Sequence, residues 1–162
     1  MDLLEAKSRI AEALVESIFR RARYELLPYQ SGQAPLRVGR EDFSPDFCAS
    51  IPGENGDARQ VLIEVKYRLA IEQFISVENQ RGERSTFHLA RRQWPTLYFV
   101  LVTDRPEPGR SCFQAVPFDR MRPGEPIRTM DLDQLKELRI FRNNVDDHEE
   151  LVRRIMGLLT GI

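Results

Sequence analysis

The chain has 162 residues, 41% of them hydrophobic and 30% charged, with 24 Lys and Arg against 25 Asp and Glu. That length suits one domain with a substantial core, and the near balance of charge argues against a protein that coats nucleic acid along a long footprint, though not against one with a local basic patch. Cys48 and Cys112 are too few for a disulfide scaffold or a four-thiolate zinc site. No apolar run reaches the roughly 18 residues of a membrane span, so no membrane partner is expected. "MDLLEAKSRIAEAL" carries acidic residues early and lacks an apolar stretch typical of a signal peptide. The expectation is a cytoplasmic protein with reduced thiols.

Residues 2 to about 23 read as an amphipathic helix, with Ile10, Ala11, Leu14, Val15, Ile18, Phe19 and Ala22 at helical spacing. "YELLPYQ" predicts a short strand ended or pushed to an edge by Pro28, and "SGQAPLRVGRED" a polar loop. "DFCASI" and "QVLIEVKYRLA" predict a second and third strand paired as a hairpin across "PGENGDA", where Asn55-Gly56 is the strongest turn signal. From Ile71 to about Gln93 the pattern is charged and less regular, with "STFHLARRQW" as its helical end.

"TLYFVLVTD" is a near-continuous apolar run, as in a strand buried on both faces, and "CFQAVPF" predicts a fifth strand. "MRPGEPIRT" is a connection. Asp131 and Asp146 or Asp147 are candidate caps for helices at about 132–138 and 147–160. The whole is a single α/β or α+β domain over 1–162, a sheet covered by helices.

The chemistry concentrates on the hairpin. Glu64 and Lys66 share a strand face with Leu62 and Arg68, while Ile63, Val65 and Tyr67 share the other and suit packing against a helix. The first set is then expected as a polar row on a sheet whose other face is core. Asp46, across the hairpin, reaches the same end of that row. Two carboxylates at one point suit a hard cation such as Mg2+ or Mn2+, and a lysine beside them suits a developing phosphate charge. The competing reading is a cross-strand ion pair on a solvated face.

Pro45-Asp46 followed by Glu64-Val65-Lys66 resembles the pattern of the PD-(D/E)xK (restriction-endonuclease-like) nuclease superfamily. The resemblance extends to element order over residues 8 to about 116: a first helix bearing a Glu, three strands, a helix and a strand. It implies a restriction-endonuclease-like core at about 8–118, a central mixed sheet flanked by helices, with a C-terminal helical extension at about 119–162. It implies metal ligation by Asp46, Glu64 and the Val65 main-chain carbonyl, Lys66 as the catalytic lysine, and an outer or second-metal role for a helix Glu. Glu12 is the better choice for that role, because at about 100° per residue it lies at the edge of the apolar stripe while Glu16 points outward. Gln73, Gln80 and Gln93 are equal candidates for the Gln that many relatives carry after the lysine.

Between Lys66 and Arg92 six basic residues (Lys66, Arg68, Arg81, Arg84, Arg91, Arg92) face three acids. Such an excess suits a phosphate path or a solvated charged face. His88 and His148 are not paired with cysteines, so zinc-hydrolase motifs are absent. "DDHEE" reads as the acid-rich first turn of the last helix, and Cys48 and Trp94 as packing residues. The sequence thus points to a Mg2+-dependent endonuclease acting on nucleic acid, DNA before RNA, with a homodimer as a plausible arrangement for cutting two strands. The alternative is a non-catalytic interaction or assembly module of the same fold.

Overall fold

The computed structural model describes residues 2–30, 35–38, 41–53, 56 and 58–161. Among these, six strands form one mixed sheet in the order β1 (Glu25–Pro28), β4 (Phe47–Pro52), β5 (Ala58–Tyr67), β6 (Leu97–Val102), β7 (Phe113–Ala115) and β8 (Met130–Asp131). β5 and β6 run parallel and every other neighbouring pair antiparallel. A small hairpin, β2 (Leu36–Val38) with β3 (Glu41–Phe43), stands apart where the sequence predicted only loop. The fold is α+β, with helices on both faces of the sheet.

The first helix, α1 (Leu3–Arg21), starts where the Asp2 side chain accepts the Glu5 amide proton at 2.7 Å. Its apolar stripe packs on one face of the sheet, against Ile63, Val65 and Tyr67 of β5 and Tyr98, Val100 and Val102 of β6. The last helix, α4 (Arg142–Thr160), joins that face through Val145, Val152 and Met156. On the opposite face α2 (Ile71–Gln80) and α3 (Thr86–Gln93) cover Leu97, Phe99 and Leu101. The alternation along β6 therefore divides its side chains between two cores, and all six of its residues are buried. Each fully buried large side chain contributes about 1.5–3 kcal/mol relative to exposure.

Several expectations need correction. The hairpin of β4 and β5 forms as predicted, with Phe47 opposite Ile63 and Pro52 opposite Ala58. Asn55 of its turn signal lies outside the described residues; Gly56 has φ +83°, a region that glycine enters without steric cost. The irregular stretch after β5 is in fact α2, a 3-10 turn at Gly82–Arg84, and α3. The helix predicted at 132–138 is two 3-10 turns, Leu132–Gln134 and Lys136–Leu138. Leu132, Leu135 and Leu138 are all buried, and 3-10 geometry places that three-residue spacing on one side.

α4 begins five residues before the predicted start. The Asn144 side chain accepts the Phe141 amide proton at 2.8 Å, while Asp146 and Asp147 lie inside the helix and pair with Arg142 and Arg21. "DDHEE" is therefore not a first turn. Asp131 stands at the N-cap of the Leu132–Gln134 turn but makes no side-chain capping hydrogen bond; its carboxylate accepts from Ser111 N and Gln114 Nε2. Both cysteines are free. No described helix is long and apolar enough to cross a membrane.

Candidate active site

The site forms where the chain leaves β3 and enters β4. Pro45 in "SPD" holds this segment extended, and three hydrogen bonds stitch it to β5. Ser44 N donates to Glu64 Oε2 at 3.0 Å, Asp46 N to the Ile63 carbonyl at 2.7 Å, and Val65 N to Asp46 Oδ2 at 2.6 Å. Asp46 is thereby held beside Glu64 at the end of the hairpin.

From the α1 side, Glu12 hydrogen-bonds the Asp46 carboxyl, while Glu16 turns outward to Arg20. Lys66 Nζ lies 2.7 Å from Glu64 Oε1 and 4.7 Å from the centre of the Phe43 ring. Glu12, Asp46, Glu64 and Lys66 thus form one connected group drawn from α1, the entry to β4, and β5.

The polar row expected on the face opposite the core is covered rather than open. Glu64 is 2% exposed, and Leu62 packs into the second core, because α2 and α3 close this face of the sheet. Burial, then the charge of Glu64, then the hydrogen bond that the Asp46 carboxyl donates to Glu12 push Asp46 up to about 9. Burial also lifts Glu64 to about 7, against the opposing pull of Lys66 and the Ser44 amide. Buried carboxylates that raise one another's proton affinity form a site with an unmet demand for positive charge.

No protein-family model, curated protein or solved structure matches the chain.

Among the described residues, no group of three or more His, Cys, Asp or Glu is arranged to hold a metal ion. Asp46 is turned to Val65 N and Glu12, and Glu64 to Lys66 and Ser44 N. The donor chemistry nevertheless fits a hard divalent cation, since Mg2+ commonly binds through one or two carboxylates and completes its shell with water and substrate phosphate.

The expected basic path is divided. Arg91 is committed to the fold: it donates to the Pro95 carbonyl and Asp119 and lies over the Tyr98 and Phe118 rings. Arg81 pairs with buried Glu78 at 3.3 Å, and Arg68 stacks on Phe74 at 4.4 Å. Arg84 and Arg92 are exposed, as are Gln73 and Gln80, whereas Gln93 is half-buried. His148 Nε2 lies 2.9 Å from Ser17 Oγ between α1 and α4, a packing role.

Two participants were not anticipated: the Ser44 amide and the Phe43 ring. A main-chain donor leaves no mark in the sequence. Phe43, an aromatic three residues before Asp46, was the only signal available.

Proposed function

We propose that this protein is a Mg2+- or Mn2+-dependent phosphodiesterase acting on nucleic acid, DNA before RNA, on a restriction-endonuclease-like core. The observation that carries the reading is that Glu12, Asp46, Glu64 and Lys66 form one connected group in which burial raises the proton affinity of Asp46 and Glu64. The element order supports it as well. A Glu-bearing helix, β1, β4, β5, helices and β6 follow one another, with β2 and β3 as an insertion.

Asp46 and Glu64 would hold the cation, with Glu12 behind Asp46. When bound, the cation would polarise the phosphate and acidify a water molecule. The chain's own residues supply the rest. Val65 N and Ser44 N fix the two carboxylates, so their orientation is set before substrate arrives. Lys66, 2.7 Å from Glu64 Oε1, would offer its ammonium to the developing charge on phosphorus. Glu12, hydrogen-bonded to Asp46, would take up the proton that the attacking water gives up as its oxygen bonds phosphorus. One P–O ester bond breaks and the departing oxygen takes a proton from solvent.

A second reading, the non-catalytic module of the same fold, is favoured by the closed Lys66–Glu64 pair. One experiment separates them: cleavage of labelled duplex, single-stranded and branched DNA and of RNA with Mg2+ or Mn2+, wild type beside Lys66→Ala, with Mn2+ binding followed by calorimetry. Cleavage by wild type alone supports the phosphodiesterase. Absence of both cleavage and Mn2+ binding overturns it in favour of the module.

A further inference from the structure

A groove of about 350 Å3 runs beside α3, lined by His88, Arg91 and Arg92 of that helix and by Phe118, Asp119 and Arg122 of the segment after β7. Its carboxylate, Asp119, is already committed: Oδ1 accepts from Arg91 Nη2 at 3.0 Å and Oδ2 from the Tyr98 hydroxyl at 2.6 Å. Arg92 and Arg122 are exposed, and among the described residues neither guanidinium group has an ion pair or a hydrogen bond. The groove therefore holds two guanidinium groups whose charge none of its carboxylates meets. A neighbouring hollow of about 500 Å3 shares His88 and Arg92 but adds Glu83 and Glu125, so the positive excess belongs to the first.

Both arginines stand on fixed backbone. Arg92 lies in the last turn of α3, whose start is capped by Ser85 Oγ accepting from His88 N at 3.2 Å. Arg122 opens a Pro-Gly turn in which Gly124 takes φ +82° and Glu125 N donates to the Arg122 carbonyl at 3.0 Å. Arg122 N in turn donates to Glu125 Oε2 at 2.7 Å. The Asn79 side chain then ties the segment to α2, accepting from Ile127 N at 2.7 Å and donating to the Ile127 carbonyl at 2.9 Å. Backbone held in place before a ligand arrives lowers the ordering cost of binding.

The groove is set apart from the candidate active site. α3 ends just before β6 begins at Leu97, which is paired with Leu62; Lys66 is paired with Leu101, four residues or about 13 Å further along the sheet.

We infer that Arg92 and Arg122 hold backbone phosphates of the nucleic-acid substrate at a distance from the cleaved bond. The inference rests on the phosphodiesterase reading for its ligand and extends the substrate's footprint from Lys66 along α3. A guanidinium fork meets two phosphate oxygens at once, and such contacts position a strand without reading its sequence.

The test is fluorescence anisotropy of a labelled DNA duplex in EDTA across a salt series, so that binding is read apart from cleavage. Arg92→Ala and Arg122→Ala should each lower the salt slope by about one unit, and the double variant by about two. Arg154→Ala is the control for net charge: Arg154 is also exposed but stands on α4, over the other face of the sheet, and should leave the slope unchanged. No DNA binding by wild type, a slope unchanged in the double variant, or one lowered as much by Arg154→Ala overturns the inference. So does a polyglutamate peptide that binds wild type but not the double variant while DNA affinity stays the same, which would assign the groove to an acidic protein.

The two readings fail separately. Cleavage lost in Lys66→Ala with DNA affinity indifferent to both arginine variants sinks the groove alone. Arginine-dependent DNA binding without any cleavage sinks the chemistry alone.

Discussion

Asp46 Oδ2 accepts the Val65 amide proton at 2.6 Å, so the carboxylate before β4 is fixed to the strand that carries Glu64 and Lys66. Burial, Glu64 and Glu12 lift that carboxyl from its ordinary 3.8 to about 9. The folded protein therefore keeps a proton that the unfolded chain releases, and stability falls as pH rises through that window. In the absence of metal, the melting temperature should decrease from about pH 5 to about pH 9. Asp46→Asn keeps an acceptor for Val65 N but cannot ionise, and should flatten the slope; each kcal/mol regained at high pH would appear as about 2–4 °C. Mn2+ should raise the wild-type melting temperature and leave the variant's nearly unchanged. A slope indifferent to Asp46→Asn would refute the assignment.

Lys66→Ala tests chemistry and stability together, because it removes the ammonium 2.7 Å from a carboxylate that is 2% exposed. Leaving a buried charge unpaired costs about 3–5 kcal/mol, and the partial exposure of Lys66 places this variant toward the lower end. Glu64 can escape much of the cost by taking a proton, since its carboxyl already titrates near about 7 and loses the Lys66 pull that held it down. The melting-temperature loss should therefore be larger at about pH 8.5 than at about pH 5.5. Cleavage should drop by at least about 100-fold at either pH. Equal losses of stability across that range would show that Glu64 stays charged.

Much of this site was legible because it lies on strands with clear period-two patterning. Ile63, Val65 and Tyr67 alternate with Leu62, Glu64 and Lys66, and the two sets do face opposite sides of the sheet. The environment of the second set was not legible. Whether a sheet face is solvated depends on what packs over it, and α2 hides its helical period among Glu72, Gln73, Ser76 and Glu78. The 3-10 turns after Asp131 escaped for a related reason: buried leucines three apart fit either helix type over so short a span. The start of α4 escaped because Asn144 caps it from within, whereas the acidic pair at 146–147 offered a conventional but false signal.

Arg91 and Arg92 are neighbours with opposite expected behaviour. Arg91 holds the Pro95 carbonyl and Asp119 and covers two aromatic rings, so Arg91→Ala should destabilise the fold by about 1–3 kcal/mol through lost hydrogen bonds and packing. Arg92 and Arg84 are exposed, and their alanine variants should stay within about 0.5 kcal/mol of wild type. If they contact phosphates, each substitution should reduce the dependence of nucleic-acid affinity on salt by about one unit of slope. Denaturant titration and salt-dependent anisotropy read the two effects independently. A salt slope altered by neither variant would remove Arg84 and Arg92 from the interface.

The C-terminal helix was expected as an extension beyond the core, yet it completes the face of the sheet that α1 begins. Met156, Val152 and Val145 have no exposure and share a cluster with Phe19, Val65 and Val100. α1 and α4 are further joined by Ser17 with His148, Arg21 with Asp147, and Lys7 with Thr160. Met156→Ala should therefore cost about 2–5 kcal/mol, the range for truncating a fully buried side chain. Because α1 also carries Glu12 to Asp46, loosening α4 should weaken Mn2+ binding. Thermal melts and calorimetry on Met156→Ala would check both. A stability loss with Mn2+ affinity unchanged would show that α1 holds its place on the sheet without α4, and that Glu12 is positioned by the β5 contact alone.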